Sequence, residues 1–435
     1  MVANAVDVVV VGAGPAGASA ALVAARKGLR VLLVERGPFP GAKNMYGGVI
    51  YPRVLDTLLP RWWEGAPVQR WVTRRATMVL AEAKALTVEF RGEDWDAPPY
   101  NGATAYRADF DSWLAGKAAD AGAALACSTT VTGLLRDGSG RVTGVRTDRQ
   151  DGDVRAAVVI ACDGVHSFLA KEAGLYDDWS VGHFTVGVKE VLALPREVLE
   201  DRFNLTGDEG LDIEILGGTQ GIPGGGFLYT NLDTIAVGVV LSLAGLRDSG
   251  KRPEELIAAL KEHPAIAPLV RGAELKEYSA HTIPEGGMDG MPGLVADGML
   301  VAGDAAHLCL ASGIWLEGVN FAIGSGALAG ETAAEAIRAG DTSARGLRGY
   351  RRRMDDSFVL ANHRKLRGAH QLILGRRAQT VYPELACGIA QRVFTVTDPQ
   401  PKAGLRRWVH AERKRTGVRL RDLMKDGWAA WRTFG

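Results

Sequence analysis

Residues 6 to 37 read VDVVVVGAGPAGASAALVAARKGLRVLLVERG, and no other stretch of the chain narrows its fold so far. An apolar run (Val6, Val8 to Val11) feeds directly into Gly12-Ala13-Gly14-Pro15-Ala16-Gly17. An alanine-rich helix follows, then a second apolar run, Val31 to Val34, closed by Glu35 and Arg36. Strand, glycine turn, helix and strand ending in an acid form the βαβ unit that holds a dinucleotide. Gly12 permits the tight turn, Gly14 lets the backbone approach a pyrophosphate, and Gly17 lets helix and strand pack closely. The helix N-terminus favours the anion through its N–H groups and dipole. Glu35 is placed to accept hydrogen bonds from ribose hydroxyls, with Arg36 beside it.

At 435 residues the chain is long enough for two or three structural regions. The first apolar run carries Asp7, lacks a basic segment before it and flows into the glycine motif, which is not a signal-peptide pattern. No apolar run approaches the ~20 residues that a spanning helix needs. These features lead to the expectation of a cytoplasmic protein. Cys127, Cys162, Cys309 and Cys387 are far apart in sequence, which argues against an iron–sulfur or zinc site, so no metal is expected.

Charge is unevenly spread. From Asp341 onward there are 21 Lys and Arg against 8 Asp and Glu, a net +13 on a body of net −12. A basic final quarter suits an anionic partner or surface, and equally a set of solvated helices.

Two further patterns resemble the first in kind. Val158 to Cys162 is an apolar strand ending in Asp163-Gly164, and Leu300 to Ala302 ends in Gly303-Asp304 and leads into Ala305-Ala306-His307. The glycine loop, a central Asp-Gly and a late Gly-Asp, in this order, resemble the glutathione-reductase-type FAD family, in its hydroxylase-like branch. The resemblance implies FAD as cofactor, Asp304 on the ribityl chain and Arg107 along the flavin. It also places Gly318-Val319-Asn320 at the pyrimidine edge, where a helix N-terminus would stabilise negative charge on the reduced ring.

The expected fold is α/β. A discontinuous Rossmann-type FAD-binding domain is assembled from 1–45, 100–175 and 293–340. Residues 46–99 and 176–292 form a β-rich substrate or quinone domain with an exposed sheet face, and 341–435 form a basic helical region.

Interior motifs narrow the family. Pro40 to Asn44 with Gly47-Gly48 and Tyr51, Gly187-Val188-Lys189-Glu190-Val191, Glu200 to Leu205, and Gly224-Gly225-Gly226-Phe227-Leu228-Tyr229 resemble the FixC family. That family is related to electron-transfer flavoprotein:quinone oxidoreductase. The likeness implies an electron relay: a two-subunit electron-transfer flavoprotein reduces the FAD, and the FAD reduces a membrane quinone. It further implies a small ferredoxin-like partner, in agreement with the few cysteines, and a quinone contact at Gly224 and Gly225. Bare backbone there lets a flat ring lie close, although a glycine-rich hairpin turn reads the same way.

The stretch Ser312 to Gly318 departs from the family pattern by placing Trp315 and Glu317 near the flavin. Leu420, Leu423, Met424, Trp428 and Trp431 follow helical spacing among basic residues. They suit an interfacial helix on the inner face of the cell membrane, or a face packed on protein. Leu58 to Trp63 offers a second anchor of the same kind. Nucleic-acid binding is not expected, and His166 and His307 read as loop and packing residues. No nucleophile–base constellation assigns catalytic residues. The alternatives within the superfamily are a flavin monooxygenase and a geranylgeranyl reductase. Against the first, Leu308 to Ser312 replaces its usual proline-rich stretch; against the second, its cysteine-glycine motif is not evident.

Overall fold

A computed structural model describes residues 5–43, 48–176 and 180–435; Asn44 and Gly47 of the FixC-like motif lie outside them. In chain order, β1 (Ala5–Val11), α1 (Pro15–Arg26) and β2 (Val31–Val34) come first. The long strand β3 (Val68–Ala81), α2 (Arg107–Asp120) and β4 (Val154–Ala161) follow. Next are β5 (Phe184–Ala193), β6 (Glu209–Gly217), β7 (Gly224–Thr230), β8 (Thr234–Ser242) and β9 (Glu274–Pro284). The chain then returns through β10 (Met299–Val301) to α3 (Val319–Arg338), and ends on α4 (Leu420–Phe434).

The first sheet has a parallel core in the order β10-β4-β1-β2, continued by the short strand Ala124–Ala126. Val8 to Val10, Val158 to Ala161 and Met299 to Val301 are all fully buried. These strands read as unbroken apolar runs because both faces are covered. α1 and α3 pack on one another through small residues. A Cβ on Gly326 would lie 2.0 Å from the Ala16 carbonyl oxygen, and one on Gly330 would lie 2.5 Å from that of Ala20. The last helix of this unit is therefore locked against the first.

The second sheet runs β9-β5-β8-β7-β6-β3 and continues through Ala103–Ala105 and Gly48–Ile50. Its pairings are antiparallel except that of β6 with β3. One face, with Val188, Ile213, Leu228, Val237 and Val239, forms an apolar core with Leu256, Ile257 and Leu260 of the helix Pro253–Glu262. The other face carries polar residues and was expected to be exposed. It is not: Lys189, Asp212 and Glu214 are all buried.

The second anchor expected from Leu58 to Trp63 is also corrected. Trp62 is 3% exposed, packs edge-on against Trp63 and Trp71, and donates its indole N–H to Asp56 Oδ1 at 2.8 Å. The indole is core because its one polar atom has a protein partner.

α4 is inside out by comparison. Its Asp426 carboxylate faces the protein, taking Arg377 Nε and Nη2 at 2.6 Å each and the Tyr382 hydroxyl at 2.5 Å. Leu420, Met424, Trp428 and Trp431 point outward, with Trp431 70% exposed.

Candidate functional site

The end of β1 is too crowded for side chains. Gly12 turns at φ +95°, and a Cβ there would lie 2.3 Å from the Cys162 carbonyl oxygen; one on Gly17 would lie 1.8 Å from that of Gly12. α1 begins at Pro15 with no side chain capping its first turn, so its N-terminal amides are oriented toward the loop mouth. Glu35, expected at a ribose, binds backbone amides of the protein itself. Its Oε2 accepts from the Ala13 amide at 3.0 Å and its Oε1 from the Gly37 amide at 2.6 Å, tying the end of β2 to the loop. Arg36 is exposed beside it.

Arg107 opens α2 and reaches the same place, its Nη2 lying 3.9 Å from where a Gly14 Cβ would stand. Asp111, one turn on, grips it in a two-pronged ion pair, Nε and Nη2 each donating at 2.8 Å. That pair keeps the guanidinium charged despite its burial.

Asp163 follows β4 and serves its own turn: its carboxylate accepts from the Ser167 hydroxyl at 3.0 Å and the Leu169 amide at 3.2 Å. Burial nevertheless pushes its pKa above the usual carboxylate range. Gly164 continues the turn at φ +80°. Gly303, at φ +67°, donates its amide to Ser325 Oγ at 3.0 Å, and a Cβ on it would sit 2.8 Å from that of Ala16. This places Gly303-Asp304 against the start of α1. Cys309 donates to Asp304 at 3.3 Å, and its sulfur would lie 3.3 Å from a Cβ on Gly318. The cysteine thus bridges Asp304 to the N-terminus of α3, where Val319 is half-buried and Asn320 is buried with its Oδ1 unpartnered.

The structure therefore gathers Gly12 to Gly17, Arg107, Asp304 and Gly318 to Asn320 into one seam at the carboxyl ends of the parallel strands, where open α/β sheets bind ligands. The Cβ-free cradle at Gly12 and Gly17 and the orphaned Asn320 oxygen fit a large bound group. His307 lies between Tyr176 and Phe184, with ring centroids 5.4 and 5.2 Å away. Burial drops its pKa to about 4, so it packs as a neutral ring.

Gly224 and Gly225 have a structural reason to be glycine. A Cβ on Gly224 would meet the Val240 carbonyl oxygen at 2.1 Å, and one on Gly225 would meet that of Ile215 at 2.8 Å. The Gly224 amide donates to Gln379 Oε1 at 3.2 Å, which ties the sheet to the C-terminal region.

The polar sheet face was missed from sequence. Arg75 on β3 meets Asp212 at 3.3 Å and Glu214 at 3.6 Å on β6, and stands 5.2 Å from the Tyr51 ring centroid. Arg75 also donates to the Ile314 carbonyl at 2.7 Å, which pins the departing Ser312 to Gly318 hairpin onto the sheet. Burial raises the pKa of Asp212, Glu214 and Glu317, against the pull of Arg75. Asp212 and Glu214 alternate with Leu211, Ile213 and Ile215, so the signal was present but reads as a solvent-facing edge.

Residues 5–199 match the FAD binding domain family, and residues 370–435 match the ETF-QO/FixC family C-terminal domain. With the glycine seam, the first match defines an FAD-dependent oxidoreductase. The chain is 40% identical to the probable electron transfer flavoprotein-quinone oxidoreductase YdiS of Escherichia coli K12, over 97% of each chain. It is 39% identical to protein FixC of Bradyrhizobium diazoefficiens, over 92% of this chain and 93% of that one. The protein belongs to the ETF-QO/FixC family. Among solved structures, a geranylgeranyl bacteriochlorophyll reductase-like protein from Thermoplasma acidophilum has a TM-score of 0.73 at 20% identity, covering 97% of this chain and 99% of that one. At that identity the likeness speaks to fold alone.

Proposed function

We propose that the protein takes electrons from a two-subunit electron-transfer flavoprotein and delivers them to a membrane quinone, beside a small ferredoxin-like partner. The end-to-end likeness to a probable electron transfer flavoprotein-quinone oxidoreductase carries this reading. FAD supplies a ring that accepts and releases electrons. The chain supplies its holding: the amides of Gly14, Ala16 and Gly17 take the pyrophosphate, in a turn set by Pro15 and held in shape by the Gly12 amide on the Val34 carbonyl and the Ala13 amide on Glu35. Glu35 and Arg36 take the adenosine end, and Asp163-Gly164 shape the floor. Asp304 takes the ribityl hydroxyls, and Arg107 lies alongside. The N-terminal dipole of α3, at Gly318, Val319 and Asn320, steadies negative charge at the ring edge. Gly225, partly open on the polar sheet face beside Gly224, offers bare backbone to the quinone.

No helix among the described residues is long and apolar enough to cross a membrane. Contact would instead be peripheral, through Leu420, Met424, Trp428 and Trp431 on α4 laid on anionic lipid of the inner face.

The test is anaerobic reduction of a water-soluble quinone analogue by the FAD-loaded protein, followed by vesicle-embedded quinone. Quinone reduction that requires added electron-transfer flavoprotein is expected. With Trp428→Glu and Trp431→Glu together, only the vesicle reaction should fall, about tenfold or more. Rapid NADPH oxidation coupled to hydroxylation, without the flavoprotein, would replace this reading by a monooxygenase.

A further inference from the structure

The larger sheet loosens where β7 begins. The pairing of β7 with β6 stops at Gly226, opposite Ile215, and β6 turns at Gly217 and Gly218 with φ of +85° and +74°. The Gly224 amide lies two residues beyond that last pair and is buried, so it needs a partner. It finds one outside the sheet: Gln379 Oε1, at 3.2 Å.

Gln379 is presented by a single π-turn, Arg377–Val381, a wide turn that is rare and recurs at functional sites. The residue is buried, and both ends of its carboxamide are used. While Oε1 takes the Gly224 amide, Nε2 donates to the Ile373 carbonyl at 2.7 Å. A backbone donor on one side and a backbone acceptor on the other fix which way the amide points. The turn itself is held from outside, where Arg377 pairs with Asp426 of α4. Ile373 carries the connection onward: its Cδ1 stands 2.9 Å from where a Cβ on Gly313 would lie. Gly313 belongs to the hairpin that leads into Gly318 and α3, and Arg75 holds the next carbonyl of that hairpin, Ile314, at 2.7 Å. One carboxamide thus spans from the glycines of β7 to the loop that enters the ring-edge helix.

We propose that Gln379 is a positioning residue for the quinone: its carboxamide sets the spacing between Gly224-Gly225 and the 312–318 hairpin, so that a flat ring on the bare backbone of Gly225 is held at one distance and tilt. This rests on the quinone reading above. Gln379 touches neither quinone nor flavin; it acts through Gly224 on one side and Ile373 on the other. A strand end left unpinned can shift by about an ångström, and a misplacement of that size lowers a rate about 10²-fold. That demand falls on the quinone alone. A small inorganic oxidant, which takes electrons from the flavin by collision, needs no shaped slot.

The test uses the FAD-loaded protein, reduced anaerobically with dithionite, and follows flavin reoxidation by a short-chain quinone analogue and, separately, by ferricyanide. In Gln379→Met, which keeps the length and loses both hydrogen bonds, quinone reoxidation should slow about 10²-fold while FAD content and the ferricyanide rate stay at the wild-type level. Gln379→Glu keeps an acceptor for Gly224 but at pH 8 has no donor for Ile373, so it should also be slow with quinone. As the pH falls toward 5.5 the protonated carboxyl regains a donor, and the quinone rate should recover relative to the wild type. Thr380→Val is the control: its hydroxyl returns to the Arg376 carbonyl of the same turn, and its loss should leave both rates unchanged. Should the methionine variant fail to fold, the pH profile of Gln379→Glu carries the test. A wild-type quinone rate in Gln379→Met, equal losses with both oxidants, or a Gln379→Glu profile parallel to the wild type overturns the positioning role. A wild type that reduces ferricyanide but no quinone instead sinks the quinone reading, and the role of Gln379 with it.

Discussion

The two sheets of this molecule handle polarity in opposite ways. The parallel sheet is apolar on both faces, and what it offers a ligand is backbone: turns at Gly12 and Gly303 and the starts of α1 and α3. The larger sheet is apolar on one face only, and its other face buries Lys189, Asp212, Glu214 and Tyr229 under the cofactor domain. One sheet holds by main chain and the other presents side chains that titrate. Backbone cradle and buried charge are thereby kept on separate scaffolds, joined where the Tyr106 hydroxyl meets Thr234 Oγ1 at 2.7 Å and where Arg75 donates to the Ile314 carbonyl.

The sharpest way to break that contrast is to give the backbone site a side chain. Gly17→Val, with no room before the Gly12 carbonyl, should lose its FAD absorbance and more than about 4 kcal/mol of stability in denaturant unfolding. An equally sharp failure on the side-chain sheet should need removal of charge, not addition of bulk. Arg75→Met leaves Asp212 and Glu214 buried without their counter-ion and should cost about 3–5 kcal/mol at neutral pH. The sign with pH follows from the raised carboxyl pKa values: the unfolded chain releases those protons first, so the penalty is small in acid and grows as pH rises. Adding Glu214→Gln should recover much of the loss; failure to do so would mean the pair is not the cause.

The smallest effect belongs to the seam between the sheets. His307, held neutral with a pKa of about 4, should weaken the fold as pH falls from its ordinary value near 6.5, because only the unfolded chain then takes up the proton. His307→Phe should change stability by under about 1 kcal/mol at pH 8 and remove a pH-dependent loss on the order of 3 kcal/mol by pH 4. An unchanged acid slope in that variant would place the sensitive group elsewhere.

The same division governs what can be read from the chain. Gly12 to Gly17, Asp163-Gly164 and Gly303-Asp304 are each consecutive residues in which the backbone demand and the residue type coincide. The FAD fold was therefore legible, and so was the family. The polar face was not, because its members come from strands at 68–81, 184–193, 209–217 and 224–230. Alternation shows that Leu211, Ile213 and Ile215 share one face, but it cannot tell solvent from another domain as the cover of Asp212 and Glu214. Trp62 failed in the opposite sense: its neighbours Leu58 and Leu59 look like an anchor until Asp56 is seen to satisfy the indole. On α4 the sequence shows an apolar stripe without its direction, and the Arg377–Asp426 pair decides that it faces out.

The interlock of α1 with α3 bears on how the protein is born. Ala16 and Ala20 meet Gly326 and Gly330 across some three hundred residues of intervening chain. β1 must likewise find β4 before its outer edge is closed. Such distant pairings form late and leave apolar strands waiting during synthesis. The opening thirty residues leave the ribosome long before their last structural partner exists. The nucleotide cradle is thus among the first parts made and among the last completed, and cofactor capture becomes a report that nearly the whole chain has arrived.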